Sequence, residues 1–388
     1  MTAVAVFGAL ALLSAVVWLY RRLRRALEAL DPYYPMSEPL PAMLVVRPIR
    51  GRDPGLEANV RAALAQNYPA PLETLFVLDD ESDPALPILR RVLARHPSAN
   101  ARVVFSGTPE PDRTGKLHAM IQGMAAARAQ APLVCFADSD TRPSPRLLRR
   151  LAARVMAEPD VGAAFARAVC SERPETGGDA AYALLLDGIY GPQAALSMRH
   201  HESLPFIMGQ TMVLRCAALD AAGGLEASEG QLVDDMHIGA RLAAAGYRNV
   251  LVGAPLRIIQ RGLSWADFRS LALRWLIYGR TGIPFWPFNA PAVAWTSVYF
   301  AGLVVGVANL AAGHVGAGAL ALVGALAVPF ALQRLRRSQG GAALPARLWW
   351  APVATLALLP ELYLRALFTR SVMWRGRVYQ LDPAGALR

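Results

Sequence analysis

Two aspartates, Asp138 and Asp140, stand one residue apart directly after the apolar run Leu133–Ala137. Carboxylates with this spacing at the end of a strand can both reach one hard cation. Mg²⁺ or Mn²⁺ prefers such oxygens together with those of a diphosphate. The alternative is that the two acids only cap the helical pattern that starts near Ser144. We predict a divalent-cation site here, with Asp138 and Asp140 as its protein ligands.

Two further charged groups follow other apolar runs. The acidic stretch at residues 79–83, which includes Asp80, can accept hydrogen bonds from a nucleobase or ribose, or it can form an ordinary solvated turn into the helical pattern at Pro84. Lys116 is the single lysine of the chain, beside 39 arginines, and stands at a helix start. A compact ammonium charge in that place suits a phosphate group, although one lysine can also persist by chance.

The pair Asp234-Asp235 opens a helical pattern after a glycine-rich stretch at residues 223–230. An acid at a helix N-terminus is a common cap, and the helix dipole also keeps it ionised, which suits a general base. The pair Arg274-Trp275 lies in a segment that mixes Trp, Phe, Leu and Arg at helical spacing. That mixture predicts an amphipathic helix at a membrane surface, whose arginine could also offset the charge of a departing diphosphate.

Short apolar runs alternate with helical patterns between the charged groups. Such alternation predicts right-handed β-α-β units and an α/β fold with a mostly parallel sheet, in which ligands bind outside the carboxyl ends of the strands. The acidic groups after two of these runs would then share one edge of the sheet. The predicted strands are residues 42–49, 72–80, 101–105 and 132–140, and the predicted helices are residues 54–66, 84–95, 116–130 and 144–156.

The composition indicates a soluble domain attached to a membrane, because 54% of the residues are hydrophobic and only 18% are charged. Residues 1–20 carry no charge and precede four arginines, and residues 281–333 again carry none. These lengths cover a bilayer once and twice, respectively. We predict a membrane anchor at 1–21, a cytoplasmic catalytic domain at 40–262, an interfacial segment at 263–288, two membrane helices at 291–333, a re-entrant or spanning segment at 345–370 and a basic tail at 371–388.

The net charge of +11 lies mainly beside the apolar segments and not on the large central domain. Nucleic-acid binding needs a basic face on the domain itself, whereas an anionic membrane surface attracts basic residues next to membrane spans. We therefore predict an integral, multi-pass membrane protein that does not bind nucleic acid. The three cysteines are far apart, with no metal-ligand spacing, and are expected to be reduced thiols.

Taken together, these motifs resemble the membrane glycosyltransferases of the family 2 type with a GT-A (Rossmann-like) fold, and among them most closely the ceramide glucosyltransferases and their bacterial relatives. The resemblance is carried in chain order by residues 47–54 (RPIRGRDP), 80–85 (DESDPA), 138–140 (DSD), 209–212 (GQTM), 223–225 (GGL), 234–235 (DD), 274–275 (RW) and 374–379 (WRGRVY).

The resemblance implies a role for each matching residue. Asp80 would hold the uracil of a UDP-sugar, Asp138 would face ribose and metal, Asp140 would bind the metal, and Asp235 would be the base. Lys116, Arg274 and Trp275 complete the expected site, with Arg274 and Lys116 facing the diphosphate. Leu271 departs from the family pattern, which has Gln or Arg four residues before the tryptophan.

The implied reaction is inverting transfer of a hexose from a UDP-sugar to a membrane lipid hydroxyl, with ceramide as the expected acceptor and the inner membrane of a bacterium as the expected location. The aromatic residues of the interfacial segment, Phe285 and Trp286 among them, would admit the lipid. Three alternatives are a hopanoid-modifying glycosyltransferase, a processive polysaccharide synthase and a membrane scaffold without catalytic activity.

Overall fold

The computed structural model describes residues 2–30, 39–278, 285–382 and 386–388. The side chains of Phe285 and Trp286 lie outside that description.

Ten strands and thirteen α-helices make up the described chain. The strands are β1 (Met43–Pro48), β2 (Leu72–Leu78), β3 (Ala101–Phe105), β4 (Leu133–Ala137), β5 (Thr141–Arg142), β6 (Val161–Val169), β7 (Thr211–Arg215), β8 (Arg248–Ile258), β9 (Ser371–Trp374) and β10 (Arg377–Gln380). The helices are α1 (Thr2–Glu28), α2 (Leu56–Leu64), α3 (Leu86–Ala94), α4 (Gly115–Ala125), α5 (Leu147–Ala157), α6 (Gly177–Ala183), α7 (Gly191–His201), α8 (Cys216–Ala221), α9 (Asp234–Ala244), α10 (Trp265–Tyr278), α11 (Phe285–Ala311), α12 (Val315–Ser338) and α13 (Ala351–Phe368).

The first half of the central sheet is parallel, as the alternating pattern predicts. Strand β1 pairs in parallel with β2 and with β4, and β2 pairs in parallel with β3. Strands β1, β2 and β4 are buried over almost their whole length, because helices cover both faces of a parallel sheet. Their carboxyl ends therefore meet at one edge.

The second half of the sheet introduces an antiparallel strand. The eight strands run in the order β3-β2-β1-β4-β7-β6-β8-β5, and β7 is antiparallel to both of its neighbours. The start of β7 consequently lies beside the end of β4, where Thr211 is paired with Ala137. Residues just before β7 thus reach the edge at which the parallel strands end.

Four helices are long and apolar enough to cross a bilayer. Helices α11 and α12 form a hairpin that turns at residues 312–314, and α1 packs against α12. Helix α1 continues beyond the apolar run through the four arginines and ends at Glu28.

The fourth of these helices, α13, is a single continuous helix and not a re-entrant hairpin. Just before its start, the Arg347 guanidinium donates to the Glu175 carbonyl at 3.0 Å, and the Trp350 ring lies 5.7 Å from the Trp265 ring. Just after its end, strands β9 and β10 return to the edge of the central sheet, where Arg375 pairs with Asp53. Both ends of α13 therefore contact the same α/β domain.

A buried carboxylate joins this domain to the segment that leads toward the membrane. Asp179, 3% exposed, accepts backbone N–H groups from Glu175 and Thr176 in its own capping box, and from Gly262 and Leu263 before α10. These four hydrogen bonds fix the start of α10 against α6.

The Asp179→Ala substitution should lower the free energy of unfolding by about 2 kcal/mol or more, because it leaves several backbone donors without an acceptor. Thermal unfolding in detergent measures the loss, and Asp220→Ala on the exposed surface of α8 is the matched control. Equal melting temperatures for the two variants would show that the α6–α10 junction does not depend on Asp179.

Candidate functional site

A cavity of about 440 Å³ opens at the edge where β1, β2 and β4 end and β7 and α9 begin. Six of the seven predicted site residues line it: Lys116, Asp138, Asp140, Asp235, Arg274 and Trp275. The seventh, Asp80, does not. Among the described residues, the other polar side chains lining the cavity include Arg50, Asp53, Asp79, Ser139, Tyr182, Gln210, Asp234, Gln260, Arg375, Arg377 and Tyr379.

A buried arginine holds the loop that carries Asp138 and Asp140. Arg47, only 2% exposed, donates to the Asp138 carbonyl at 2.7 Å and to the Thr141 carbonyl at 3.1 Å. The Thr141 hydroxyl also donates to the Asp138 carbonyl at 2.7 Å. These backbone contacts leave the carboxylates of Asp138 and Asp140 free to face the cavity.

The two carboxylates fit a divalent cation. Oδ1 of Asp140 is buried and lacks a hydrogen-bond partner, which is a costly state for a carboxylate oxygen unless a cation or a proton occupies it. Burial, together with the negative charges of Asp138 and Asp53, raises the pKa of Asp140 to about 7. No group of three or more His, Cys, Asp or Glu side chains among the described residues is arranged around one metal position. A cation held by Asp138 and Asp140 would therefore take further ligands from a bound diphosphate.

Lys116 lies between the acidic groups. Its ammonium group contacts Oδ1 of Asp138 at 2.8 Å and donates to the Gly209 carbonyl at 3.4 Å. Burial alone would lower the pKa of Lys116, but Asp138, Asp234 and Asp235 outweigh it and hold that pKa above its ordinary value. Lys116 is accordingly a permanent positive charge on the wall of the cavity. Thr114 places it there by capping α4, its hydroxyl accepting from the Leu117 N–H at 3.1 Å.

Asp235 stands in the first turn of α9 with both carboxylate oxygens oriented by backbone donors. The Gly209 N–H donates to Oδ2 at 2.6 Å, and the Met236 N–H donates to Oδ1 at 2.8 Å. A Cβ atom at position 209 would lie 2.3 Å from Oδ2, so only glycine permits this approach. Burial raises the pKa of Asp235 to about 6, with Lys116 opposing the shift and Asp234 adding to it.

The adjacent carboxylate, Asp234, differs from Asp235. It is 2% exposed, and its Oδ2 has no hydrogen-bond partner. Burial raises its pKa, again against the positive charge of Lys116. The helical pattern alone does not show which of the two carboxylates has the different environment. In the structure their hydrogen bonds distinguish them.

The pair Arg274-Trp275 forms the part of the cavity wall that α10 contributes. The Trp275 ring packs 5.4 Å from the Tyr182 ring and 5.8 Å from the Tyr190 ring, and the Arg274 guanidinium lies 5.2 Å from the Trp374 ring. Leu271 lines the cavity one helical turn earlier. Arg269 contacts Glu361 of α13 at 2.8 Å and does not line the cavity, so it does not replace the missing Gln or Arg.

The structure places Asp80 on the surface and its neighbour Asp79 in the cavity. The Asp80 carboxylate accepts from the Ser82 hydroxyl and from the Ser82 N–H at 2.7 Å, and these two hydrogen bonds lower its pKa. Asp79 contacts Arg50 at 2.5 Å and Arg377 at 2.9 Å. The end of β2 therefore places the Asp79 side chain in the cavity. The binding of uracil by Asp80 stays a prediction.

Sequence reasoning assigned no site role to the hairpin of β9 and β10. Residues 371–388 were expected to be a basic tail, yet this hairpin contributes Trp374, Arg375, Arg377 and Tyr379 to the cavity. The Tyr379 hydroxyl accepts from the Gly115 N–H at 3.1 Å. Two short apolar runs, residues 372–374 and 378–379, flank a segment that contains Gly376, and this is the signal that could have predicted a hairpin.

Comparison with known proteins agrees with these observations. The sequence model of the family described as Glycosyl transferase family 21 matches residues 3–387. Ceramide glucosyltransferase 1 of Caenorhabditis elegans is 24% identical over 237 residues, which cover 61% of this chain and 49% of that protein. An N-acetylglucosaminyltransferase of Rhizobium meliloti is 32% identical over 143 residues, which cover 36% of this chain and 31% of that protein. The chain thus spans about half the length, or less, of these curated relatives.

A solved structure shares the fold. Mannosyltransferase PcManGT from Pyrobaculum calidifontis, in complex with GDP-Man and Mn²⁺, superimposes with a TM-score of 0.51 at 21% identity, covering 92% of this chain and 98% of that one. The α/β fold that the motifs imply and the resemblance to ceramide glucosyltransferases are both confirmed. Because the family match extends over nearly the whole sequence, this chain belongs to glycosyl transferase family 21.

Proposed function

We propose that this protein transfers a hexose from a UDP-sugar to the hydroxyl group of a membrane lipid, with ceramide as the acceptor and inversion at the anomeric carbon. The observation that carries the proposal is the arrangement around Asp235. A carboxylate with a pKa of about 6, oriented by the Gly209 N–H, shares one cavity with Lys116 and with the Asp138 and Asp140 carboxylates. A base and a diphosphate site in one cavity are the two requirements of direct displacement.

In the proposed reaction Asp235 accepts the proton of the lipid hydroxyl. The hydroxyl oxygen forms a bond to the anomeric carbon while the bond from that carbon to the diphosphate oxygen breaks, and UDP leaves with the electron pair. A single displacement of this kind inverts the anomeric centre. A divalent cation at Asp138 and Asp140, when bound, supplies positive charge that offsets the charge of the leaving group. Lys116 and Arg274, which line the same cavity, offset the same charge.

We propose that the catalytic domain is cytoplasmic and that α13 lies along the membrane surface without crossing it. The contacts at both of its ends with the same domain support this position. Its outer side exposes Leu364, Leu367 and Phe368, which suits contact with lipid. A two-chain lipid costs ~0.8 kcal/mol for each CH₂ group drawn out of the bilayer, so its hydroxyl should reach Asp235 while the tails stay in lipid.

The Asp235→Asn substitution should reduce kcat by roughly 10²- to 10⁴-fold and leave UDP affinity within a fewfold of wild type, because the amide keeps the shape but cannot accept the proton. Purified protein in detergent is assayed with UDP-hexoses and with ceramide or hopanoid acceptors, the product being identified by mass spectrometry. Asp220→Asn is the matched control. Near-normal transfer by Asp235→Asn would mean that Asp235 only caps α9, and transfer to hopanoid but not ceramide would replace the proposed acceptor.

The same carboxylate predicts a pH dependence. The pKa of Asp235 is raised to about 6, so the base is ionised above that pH and protonated below it. We expect kcat/KM to be constant near neutrality and to fall tenfold per pH unit well below pH 6. Activity that persists unchanged to pH 5 would contradict the assignment of Asp235 as the base.

The Asp140→Ala substitution should remove the dependence of UDP binding on a divalent cation, because the buried carboxylate that would hold the cation is gone. Calorimetric titration with UDP is performed with Mn²⁺ and again with EDTA, and wild-type protein under both conditions is the control. UDP affinity that responds to neither EDTA nor the substitution would exclude Asp140 as a metal ligand.

Single cysteines at the exposed positions Ala346 and Arg370 test the placement of α13. Both should react with a membrane-impermeant maleimide from the side that carries the catalytic domain, and a cysteine at Ala312, between α11 and α12, should react from the other side. The native thiols Cys135 and Cys170 are buried, and Cys216 is half-buried, so unsubstituted protein gives the background. Labelling of positions 346 and 370 from opposite sides would establish a crossing helix.

A further inference from the structure

The hairpin of β9 and β10 reaches the cavity through a two-residue turn that has an arginine where Asn, Asp or Gly is usual. Both turn residues have left-handed backbone conformations, with φ of 51° at Arg375 and 76° at Gly376. Glycine adopts this region without steric cost, but an arginine there costs on the order of 1 kcal/mol. Such a conformation persists where surrounding contacts hold it, and these sites are often functional.

The contacts that hold Arg375 are with the wall of the cavity. Its guanidinium forms two bonds to the Asp53 carboxylate, at 2.5 and 3.1 Å. Arg377 lies two residues further on, on the same face of the hairpin, and contacts Asp79 at 2.9 Å. The opposite face carries Met373 and Val378, which are 72% and 58% exposed. The alternation of β10 thus directs the Arg377 guanidinium inward, and the turn brings the Arg375 guanidinium to Asp53.

The balance of charges in the cavity indicates what these arginines contribute to it. Among the described residues that line it, six are carboxylates and only five are cations. Two of the five cations belong to the hairpin, so without it six carboxylates would face three positive groups, which would weaken the attraction of the cavity for a diphosphate. The carboxylates are Asp53, Asp79, Asp138, Asp140, Asp234 and Asp235, and the cations are Arg50, Lys116, Arg274, Arg375 and Arg377.

The two ion pairs leave each carboxylate with a second donor. The side chains of Arg375 and Arg377 are 41% and 23% exposed, whereas their partners Asp53 and Asp79 are only 8% and 19% exposed. If the arginines turned away, Asp53 would keep the Ser139 hydroxyl and Asp79 would keep Arg50. Arginine forms two parallel hydrogen bonds with phosphate as readily as with carboxylate. A diphosphate that enters the cavity can therefore replace Asp53 and Asp79 as the partner of these arginines without leaving either carboxylate unpaired.

We infer that the β9–β10 hairpin is the closing wall of the donor site, and that Arg375 and Arg377 transfer their hydrogen bonds from Asp53 and Asp79 to the diphosphate of the bound nucleotide. The inference rests on the proposed function in that it takes the donor to be a nucleoside diphosphate sugar. The Trp374 ring contacts the Arg274 guanidinium, so closure of the hairpin also positions Arg274 at the acceptor side.

The experiment compares the binding of UDP, UMP and uridine to the purified full-length protein and to variants of the hairpin. Arg375→Gly is the sharpest variant, because glycine suits the left-handed turn and should preserve or raise the melting temperature while removing the guanidinium. Arg377→Ala removes the second cation, and Arg377→Lys should restore part of the binding. Arg370→Ala removes an equal charge at an exposed position outside the cavity and is the matched control.

We expect Arg375→Gly and Arg377→Ala each to weaken UDP binding by roughly 10- to 100-fold, with a much smaller effect on UMP and none on uridine. Asp79→Asn, which releases Arg377, should bind UDP at least as tightly as wild type. Equal losses for UDP and uridine, or unchanged UDP binding in both arginine variants, would overturn the inference while leaving the proposed function intact.

A wider set of nucleotides separates the two hypotheses. If the wild-type protein binds GDP or ADP instead of UDP with the same dependence on Arg375 and Arg377, the hairpin inference stands and the proposed donor is wrong. Wild-type protein that binds no nucleoside diphosphate would overturn both.

Discussion

The crowding of carboxylates at one edge of the sheet is the constraint on which the site depends. Burial makes it costly to keep Asp140 after β4 and Asp234 and Asp235 at the start of α9 charged, and the repulsion among these groups and Asp138 adds to that cost. Lys116 offsets part of that cost from the centre of the group. An arginine would spread its charge over a larger plane, whereas the compact ammonium group of Lys116 contacts both Asp138 and the Gly209 carbonyl.

Backbone N–H and C=O groups hold the acidic side chains of the cavity in position. The antiparallel β7 places Gly209 beside the end of β4, and its N–H orients Asp235. Arg47 fixes the loop of Asp138 through carbonyl groups, so the carboxylate takes no part in holding the loop. Buried polar groups that are fully bonded make a site rigid, and the few unpartnered oxygens, such as Oδ1 of Asp140, are then the positions where a ligand is expected.

The sequence predicts the first half of the domain well because each element there carries its own local signal. Residues 42–156 alternate apolar strands and helical patterns, and the observed strands β1 to β4 fall within the predicted ranges. The Asp138 and Asp140 loop, Lys116 and Asp235 could be located because strand ends and helix starts determine their positions. The antiparallel pairing of β7 with β4 has no such local signal, since it depends on which edges remain available once the parallel strands have formed.

Contacts between residues that are far apart in the chain could not be predicted from such local signals. The distribution of net charge along the chain predicts that Arg375 and Arg377 bind anionic lipid. Composition does not reveal that these arginines pair with Asp53 and Asp79. In the same way, the acidic run at residues 79–83 does not reveal which of its members faces inward. The strand turns Asp79 toward the cavity and leaves Asp80 to bond with Ser82.

The late position of the β9–β10 hairpin in the chain has a consequence for the order in which the molecule is assembled. Arg375 and Asp53 are 322 positions apart, and α11, α12 and α13 lie between them. During synthesis the sheet can fold from the N-terminal side while the cavity still lacks this wall. The cavity is completed only after these helices have been synthesised, so under the proposed function a nascent chain without residues 371–380 would retain the nucleotide poorly.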